Sequence, residues 1–236
     1  MTEVAVVPDV AAAAAELVVE SLAGAAAARG RAAVALTGGS SAPPLFEKLR
    51  SAPVPWTKTG VFFTDERAVP PDHELSNYRL AHEGLLRHVS AASVHRMRGE
   101  AADLDAEARR CADGIRRSLG TPPRLDLVLL GLGPDGHICS LFAGLPGSAD
   151  RGDAELVRHV AAPLHVDPEV SRLTLLPFLV VTARMVVLQV TGAKKAEVLA
   201  RAIKGPDDLV GCPAQWLRKA SGRTVVVCDA AAASRL

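Results

Sequence analysis

The stretch from Leu125 to Leu145, LDLVLLGLGPDGHICSLFAGL, constrains the fold more than any other part of the chain. Leu125, Leu127, Val128, Leu129 and Leu130 form a run too short for an ordinary helix and too continuous for a strand with one wet face. It reads as a central strand covered on both sides. The run empties into Gly131, Gly133 and Gly136, where missing side chains permit a tight turn and leave backbone N–H groups open. In that turn Asp135 supplies a carboxylate and His137 an imidazole, the side-chain type suited to moving protons near neutrality.

The rest of the chain repeats the pattern. Val4–Val7 is β-prone, and Asp9 caps an alanine-rich helix through Ala28, with Gly30 just past its end. Ala32–Leu36 is the next apolar run. It breaks at Thr37-Gly38-Gly39-Ser40-Ser41, before a helix that opens at Pro43 or Pro44 and ends near Arg50. Such a turn presents free N–H groups and the positive end of a helix dipole, which suits a phosphate. Val61–Phe63 is a third strand and exits into Thr64-Asp65-Glu66-Arg67. Ser76 caps a helix to about Leu86, Val94–Met97 is a short strand, and Leu104–Leu119 is a charged amphipathic helix. Beyond the central turn, Leu156–Ala161, Arg172–Leu176 and Met185–Val190 read as strands. A helix from Ala193 to about Lys204 carries Lys194 and Lys195 in its first turn. Pro213–Lys219 is a last helix and Thr224–Val227 a last strand.

Strands alternating with helices predict an α/β domain with a mostly parallel sheet and helices on both faces, Rossmann-like, with residues 1–236 as a single domain. Ligands of such sheets bind beyond the carboxyl ends of the strands. Four strand exits carry polar residues that can share one mouth: Gly38–Ser41, Asp65–Arg67, Asp135–His137 and Gly192–Lys195.

Composition narrows the function. At 236 residues and 49% hydrophobic, the chain can bury a sizeable core. A formal charge of +1 gives no general attraction to nucleic acid or an anionic membrane. The four cysteines are widely spaced with no C-x-x-C pair, as expected of reduced thiols in a cytosol. Glu3, Pro8 and Asp9 interrupt any signal-like apolar core, and the apolar run Leu173–Ala183 falls short of the ~20 residues a membrane helix needs. A cytoplasmic protein is expected.

Gly131–Gly136 matches G-x-G-x-x-G, yet Pro134 removes an N–H. Ala143-Gly144-Leu145-Pro146-Gly147 then leaves no room for the crossover helix of a dinucleotide site. Metal-binding His/Glu and Cys/His spacings and the G-x-S-x-G elbow are absent. Cys139 is read as a small packing residue rather than a nucleophile.

Taken in order, Leu36-Thr37-Gly38-Gly39-Ser40, Thr64–Arg67 with Ser76-Asn77, Gly131–His137 with Ser140-Leu141-Phe142, Arg172-Leu173-Thr174, Gly192–Lys195 and Pro213-Ala214-Gln215 resemble the 6-phosphogluconolactonases. The resemblance implies a fold like glucosamine-6-phosphate deaminase and ribose-5-phosphate isomerase. It also implies hydrolysis of a sugar-phosphate lactone, 6-phospho-D-glucono-1,5-lactone, in the oxidative pentose phosphate pathway, with no metal or organic cofactor, in a monomer or small homo-oligomer. His137 takes the position of the family's general base. Gly38, Gly39, Ser40, Arg172 and Lys195 match positions that hold the phosphate or the sugar acid, while Asp65, Arg67 and Asp135 match polar residues lining the pocket. A deaminase or isomerase of the same superfamily is the nearest rival, but it would need an aromatic in place of Arg67 and an acid where Ser140-Leu141-Phe142 stands. A sugar-phosphate-binding protein without activity would be expected to have lost His137. The chain departs from the family where Val180-Val181-Thr182 replaces a polar position, with the loss of a pocket hydrogen bond as the expected consequence.

Overall fold

The structure, a computed structural model, describes residues 2–236. Seven parallel strands form the larger sheet, in the order β1 (Thr2–Val6), β10 (Arg223–Cys228), β9 (Met185–Val190), β6 (Leu127–Gly131), β2 (Ala32–Leu36), β3 (Thr59–Phe63) and β5 (Ser93–Val94). Leu127, Val128, Leu129 and Leu130 are fully buried, with alternate side chains in the cores on opposite faces. This double covering is why the run is continuous rather than alternating.

One face is covered by α1 (Val10–Arg29) and α2 (Ala42–Leu49), with α3 (Asn77–Gly84) at its rim. The other carries α4 (Leu104–Leu119), α5 (Pro177–Val181), α6 (Ala196–Lys204) and the 3-10 segment Pro213–Lys219. Local signals set the helix ends. The Asp9 carboxylate accepts the Ala12 N–H at 2.9 Å, and Gly30 closes α1 in the left-handed region at φ 70°. α1 is long and apolar enough to cross a membrane by composition alone, but Ala14, Val18 and Leu22 lie fully buried in the core beneath it.

Three expectations needed correction. The segments read as strands around Leu156–Ala161 and Arg172–Leu176 do not join the parallel sheet. As β7 (Val157–Val160) and β8 (Arg172–Leu175) they form a separate three-stranded sheet with β4 (Asp65–Arg67), in which β8 lies in the middle and pairs antiparallel with both β4 and β7. The polar strand end at Asp65–Arg67 is therefore itself a strand, bent out of the main sheet directly after β3. Pro213–Lys219 winds as a 3-10 helix, and Ala193–Lys195 is a 3-10 turn before α6.

From β2 the chain moves outward through β3 to β5, then returns along α4 to β6 on the other side of β2. It next runs outward the opposite way through β9. The gap between β2 and β6 is thus the switch point of the sheet, where crevices open in folds of this kind. The two strands pair only at Val34–Leu127 and Ala35–Val128 before they separate.

Candidate active site

A cavity of about 340 Å³ lies over that gap and receives all four strand exits. From β2 come Gly38, Gly39, Ser40 and Ser41, at the start of α2, where Pro43 and Pro44 occupy positions whose N–H groups no helix needs. Open N–H groups and the helix dipole make this corner receptive to an anion. Gly38 is obligatory here, since a Cβ on it would stand 1.8 Å from Asn77 Oδ1.

The second exit supplies Asp65 and Arg67, and β8 supplies Arg172, which is register-paired with Arg67. Asp65 is buried and accepts hydrogen bonds from Ser140 Oγ at 2.8 Å and Thr64 Oγ1 at 3.0 Å. Arg67 donates to Asn77 Oδ1 at 2.6 Å and to the Leu75 carbonyl at 2.8 Å, and Arg172 donates to the carbonyls of Val170 and Pro168. The two guanidiniums thus face one cavity held by neutral oxygens. Burial, then the neighbouring charge of Arg67, pulls the Arg172 guanidinium down to about 10. Arg67, Arg172 and Lys195 give the cavity wall a positive charge that an anionic ligand would meet, with the Asp65 carboxylate already held by hydroxyls. Glu66, between Asp65 and Arg67 on the same polar strand exit, turns away from the cavity. Its carboxylate caps α3, accepting from the N–H groups of Arg67, Asn77 and Tyr78 and from Ser76 Oγ.

The third exit brings His137. His137 Nδ1–H donates to Asp135 Oδ1 at 2.6 Å, and the same oxygen accepts the His137 backbone N–H at 3.2 Å. Burial would raise the Asp135 carboxyl, but the hydrogen bond and charge of His137 outweigh it and hold the group well below the usual carboxylate range. Phe142 packs edge-on to the imidazole, with ring centroids 5.3 Å apart. The ring lies against Gly133, whose Cα leaves no space for a side chain on that side. With Nδ1 committed to Asp135, Nε2 is the nitrogen left for chemistry. Asp135, expected to line the pocket, stands behind the histidine and is not among the residues on the cavity wall.

From the fourth exit Lys195 reaches back so that Nζ donates to the Leu132 carbonyl at 2.7 Å, on the same turn that carries His137. Burial pushes its ammonium down from the ordinary lysine value, with Asp135 opposing.

Eight of the nine residues singled out from the sequence therefore line one cavity: Gly38, Gly39, Ser40, Asp65, Arg67, His137, Arg172 and Lys195. Sequence reasoning assigned no role to Asn77, Ser140, Asp167, Thr191 or Gln189, which line it as well. Asn77 stood beside a recognised helix cap. Gln189 carried a usable signal, a polar residue inside a buried strand, whereas nothing local marked Asp167. Cys139 touches the cavity, but its thiol is buried and held protonated by desolvation and the nearby Asp65 charge, as befits a packing residue. The Val180–Thr182 segment forms the end of α5 and its cap, and Val180 and Val181 are buried in the core. The expected pocket position there does not exist.

Fold and site together define a Rossmann-like α/β protein with a histidine–carboxylate pair and a cationic cradle across the switch point of its sheet. The family model of glucosamine-6-phosphate isomerases and 6-phosphogluconolactonases matches residues 7–226, and the chain belongs to this family. A 6-phosphogluconolactonase of Rhizobium meliloti (strain 1021) is 36% identical over 187 residues, which cover 79% of this chain and 80% of that protein. The solved 6-phosphogluconolactonase of Trypanosoma cruzi superposes with a TM-score of 0.90 at 27% identity, covering 100% of this chain and 97% of the other. A monomeric glucosamine-6-phosphate deaminase, 19% identical with a TM-score of 0.82 and covering 100% and 99% of the two chains, shares the fold.

Proposed function

We propose that the protein hydrolyses 6-phospho-D-glucono-1,5-lactone to 6-phospho-D-gluconate, with His137 as the general base. The observation that carries this reading is the Asp135–His137 pair on the wall of a cavity that also holds Arg67, Arg172 and Lys195. A proton on Nδ1 leaves the lone pair on Nε2, facing the substrate water. As the water oxygen adds to the lactone carbonyl carbon, its proton passes to Nε2, and Asp135 steadies the imidazolium. When the tetrahedral intermediate collapses, the bond from that carbon to the ring oxygen breaks. The ring oxygen takes the proton from the imidazolium and becomes a hydroxyl. The carboxylic acid so formed loses its proton to solvent, and every step is an addition, an elimination or a proton transfer that these side chains can carry without a metal or organic cofactor.

The phosphate lies on the Gly38–Ser40 turn, with the guanidiniums and Lys195 supplying positive charge. Where an amino-sugar deaminase would need a further acid in the segment after the Asp-Gly-His turn, this chain has Ser140-Leu141-Phe142, and Phe142 meets the imidazole with only a ring edge, which favours the lactonase reading. The protein acts in the cytoplasm on a small sugar phosphate, at the second step of the oxidative pentose phosphate pathway, rather than on nucleic acid or membrane.

The direct test generates the lactone in place from glucose 6-phosphate and follows its hydrolysis, alongside ammonia release from glucosamine 6-phosphate. Lactone hydrolysis should dominate, and ammonia release without it would refute the assignment. Lys195 adds a pH signature. Because burial lowers its pKa, the free enzyme loses this charge at a lower pH than an ordinary lysine with a pKa of about 10.4. KM should therefore climb on the alkaline side before that value, while kcat holds. Lys195→Ala should raise KM at neutral pH and flatten the alkaline rise, and an unaltered profile in Lys195→Ala would remove the lysine from the cradle.

A further inference from the structure

Among the described residues, five buried side-chain polar atoms have no hydrogen-bond partner, and two of them, Arg67 Nε and Gln189 Nε2, belong to residues on the cavity wall. An unpaired arginine nitrogen beside an anion cradle is expected. The glutamine is not. Gln189 is 2% exposed and sits in β9, where Met185 and Val187 pack into the core on the α1–α2 face. Alternation directs Gln189 to that same face, at the place where the apolar layer ends and the cavity begins.

Its surroundings explain why no protein group satisfies it. The register partner in β6 is Gly131, which has no side chain, and the partner in β10 is Val227, which is apolar. Ser41 Oγ stands close over Gly131, 3.2 Å from where a Cβ would lie, so a side chain on Gly131 would crowd the segment that leads into α2. Ser41, Gly131, Gln189 and Thr191 all border the cavity. An unpaired amide in a core destabilises the fold, and an apolar residue continuing the Met185–Val187 stripe would avoid this cost. A ligand in the cavity removes it.

We propose that Gln189 is a specificity-determining substrate contact, its carboxamide donating a hydrogen bond to the anionic group seated on the Gly38–Ser41 turn. The assignment rests on the reading that this turn receives the phosphate of the substrate. The amide's NH2 turns toward the cavity when the anion is present, since an oxyanion accepts but cannot donate. The contact adds a neutral donor to the charged grip of Arg67 and Arg172. It distinguishes a phosphorylated sugar from a plain one, while His137 and its turn do the chemistry.

The test is calorimetric titration of 6-phosphogluconate and of inorganic phosphate into wild type, Gln189→Met and Gln189→Glu, with melting temperatures and steady-state kinetics alongside. Gln189→Met keeps the volume and removes the polar head. Its Kd for both probes should rise about tenfold, as one hydrogen bond to a charged group is lost. KM should follow with kcat changed less than twofold, and Tm should be equal to or above that of wild type. Gln189→Glu keeps the shape and adds a repelling charge, so it should weaken both probes further than Gln189→Met. It also decides the matter if the methionine variant fails to fold. A Kd within twofold of wild type for both probes in the folded variants overturns the proposal, as does a lowered Tm with unchanged Kd, which marks a purely structural glutamine. The wild-type lactone assay separates the two claims. Hydrolysis with unaffected variant binding sinks the role of Gln189 alone, whereas absent hydrolysis sinks the functional reading, and the phosphate titration still reports whether Gln189 grips an anion.

Discussion

His137→Ala lowers kcat by about 10²- to 10⁴-fold, the range that a positioned general base contributes, with KM within a few-fold of wild type. The cationic cradle is built from other strands, so binding survives the loss of the ring. Asp135→Asn tests the same pair from behind. The amide cannot hold Nδ1–H with a charge-assisted bond, and its NH2 can donate to Nδ1 and drive the proton to Nε2, the nitrogen that has to accept one. A loss of kcat of at least about tenfold, with little change in KM, is expected. Turnover of His137→Ala equal to wild type, measured on lactone generated in place, would take the imidazole out of the mechanism.

Gly133→Ala should be nearly as damaging, although it alters no functional group. A Cβ at this position would lie 2.1 Å from Nδ1, 2.3 Å from Cε1 and 2.6 Å from Cγ of the imidazole. No rotation of a methyl group relieves such contacts, so the ring must leave its place and with it the 2.6 Å bond to Asp135. Misplacement of a catalytic group by about 1 Å costs on the order of 10²-fold in rate. We therefore expect kcat to fall by about two orders of magnitude, with the affinity for 6-phosphogluconate kept. Circular dichroism and product titration separate this outcome from global unfolding. A Gly133→Ala variant with wild-type kcat would show that the ring does not need the position it occupies.

The contrast between these residues and their neighbours shows what the sequence could reveal. Where one residue type has a strong local preference, the reading held. Asp9 and Gly30 bounded α1, the run of leucines before Gly131 became a strand buried on both faces, and the four polar strand ends met at one mouth. Local preference says nothing about which strand a segment pairs with. Arg172–Leu175 has the composition of a parallel core strand and yet belongs to the small antiparallel sheet, between the nearby Val157–Val160 and the distant Asp65–Arg67. The same limit hid the division of labour at the site. Asp65, Glu66 and Arg67 read as one charged cluster, and only the strand geometry shows that the middle residue serves α3 while the outer two face the cavity. Asp135 was legible as a partner of chemistry but not as the group behind the ring, since two residues of separation admit either arrangement.

The pairing of β4 with β8 has a consequence for how this protein tolerates change in length. Arg67 opposes Arg172 and Asp65 opposes Thr174, while Glu66 and Leu173 occupy the rung between them. Deleting or inserting one residue within β8 itself, unlike a change in the connection before it, would offset this ladder by a single step. Leucine would then be presented to the ligand or a guanidinium to the apolar interior. The loss would appear as abolished grip on an anion, in a chain whose acid–base pair remained whole.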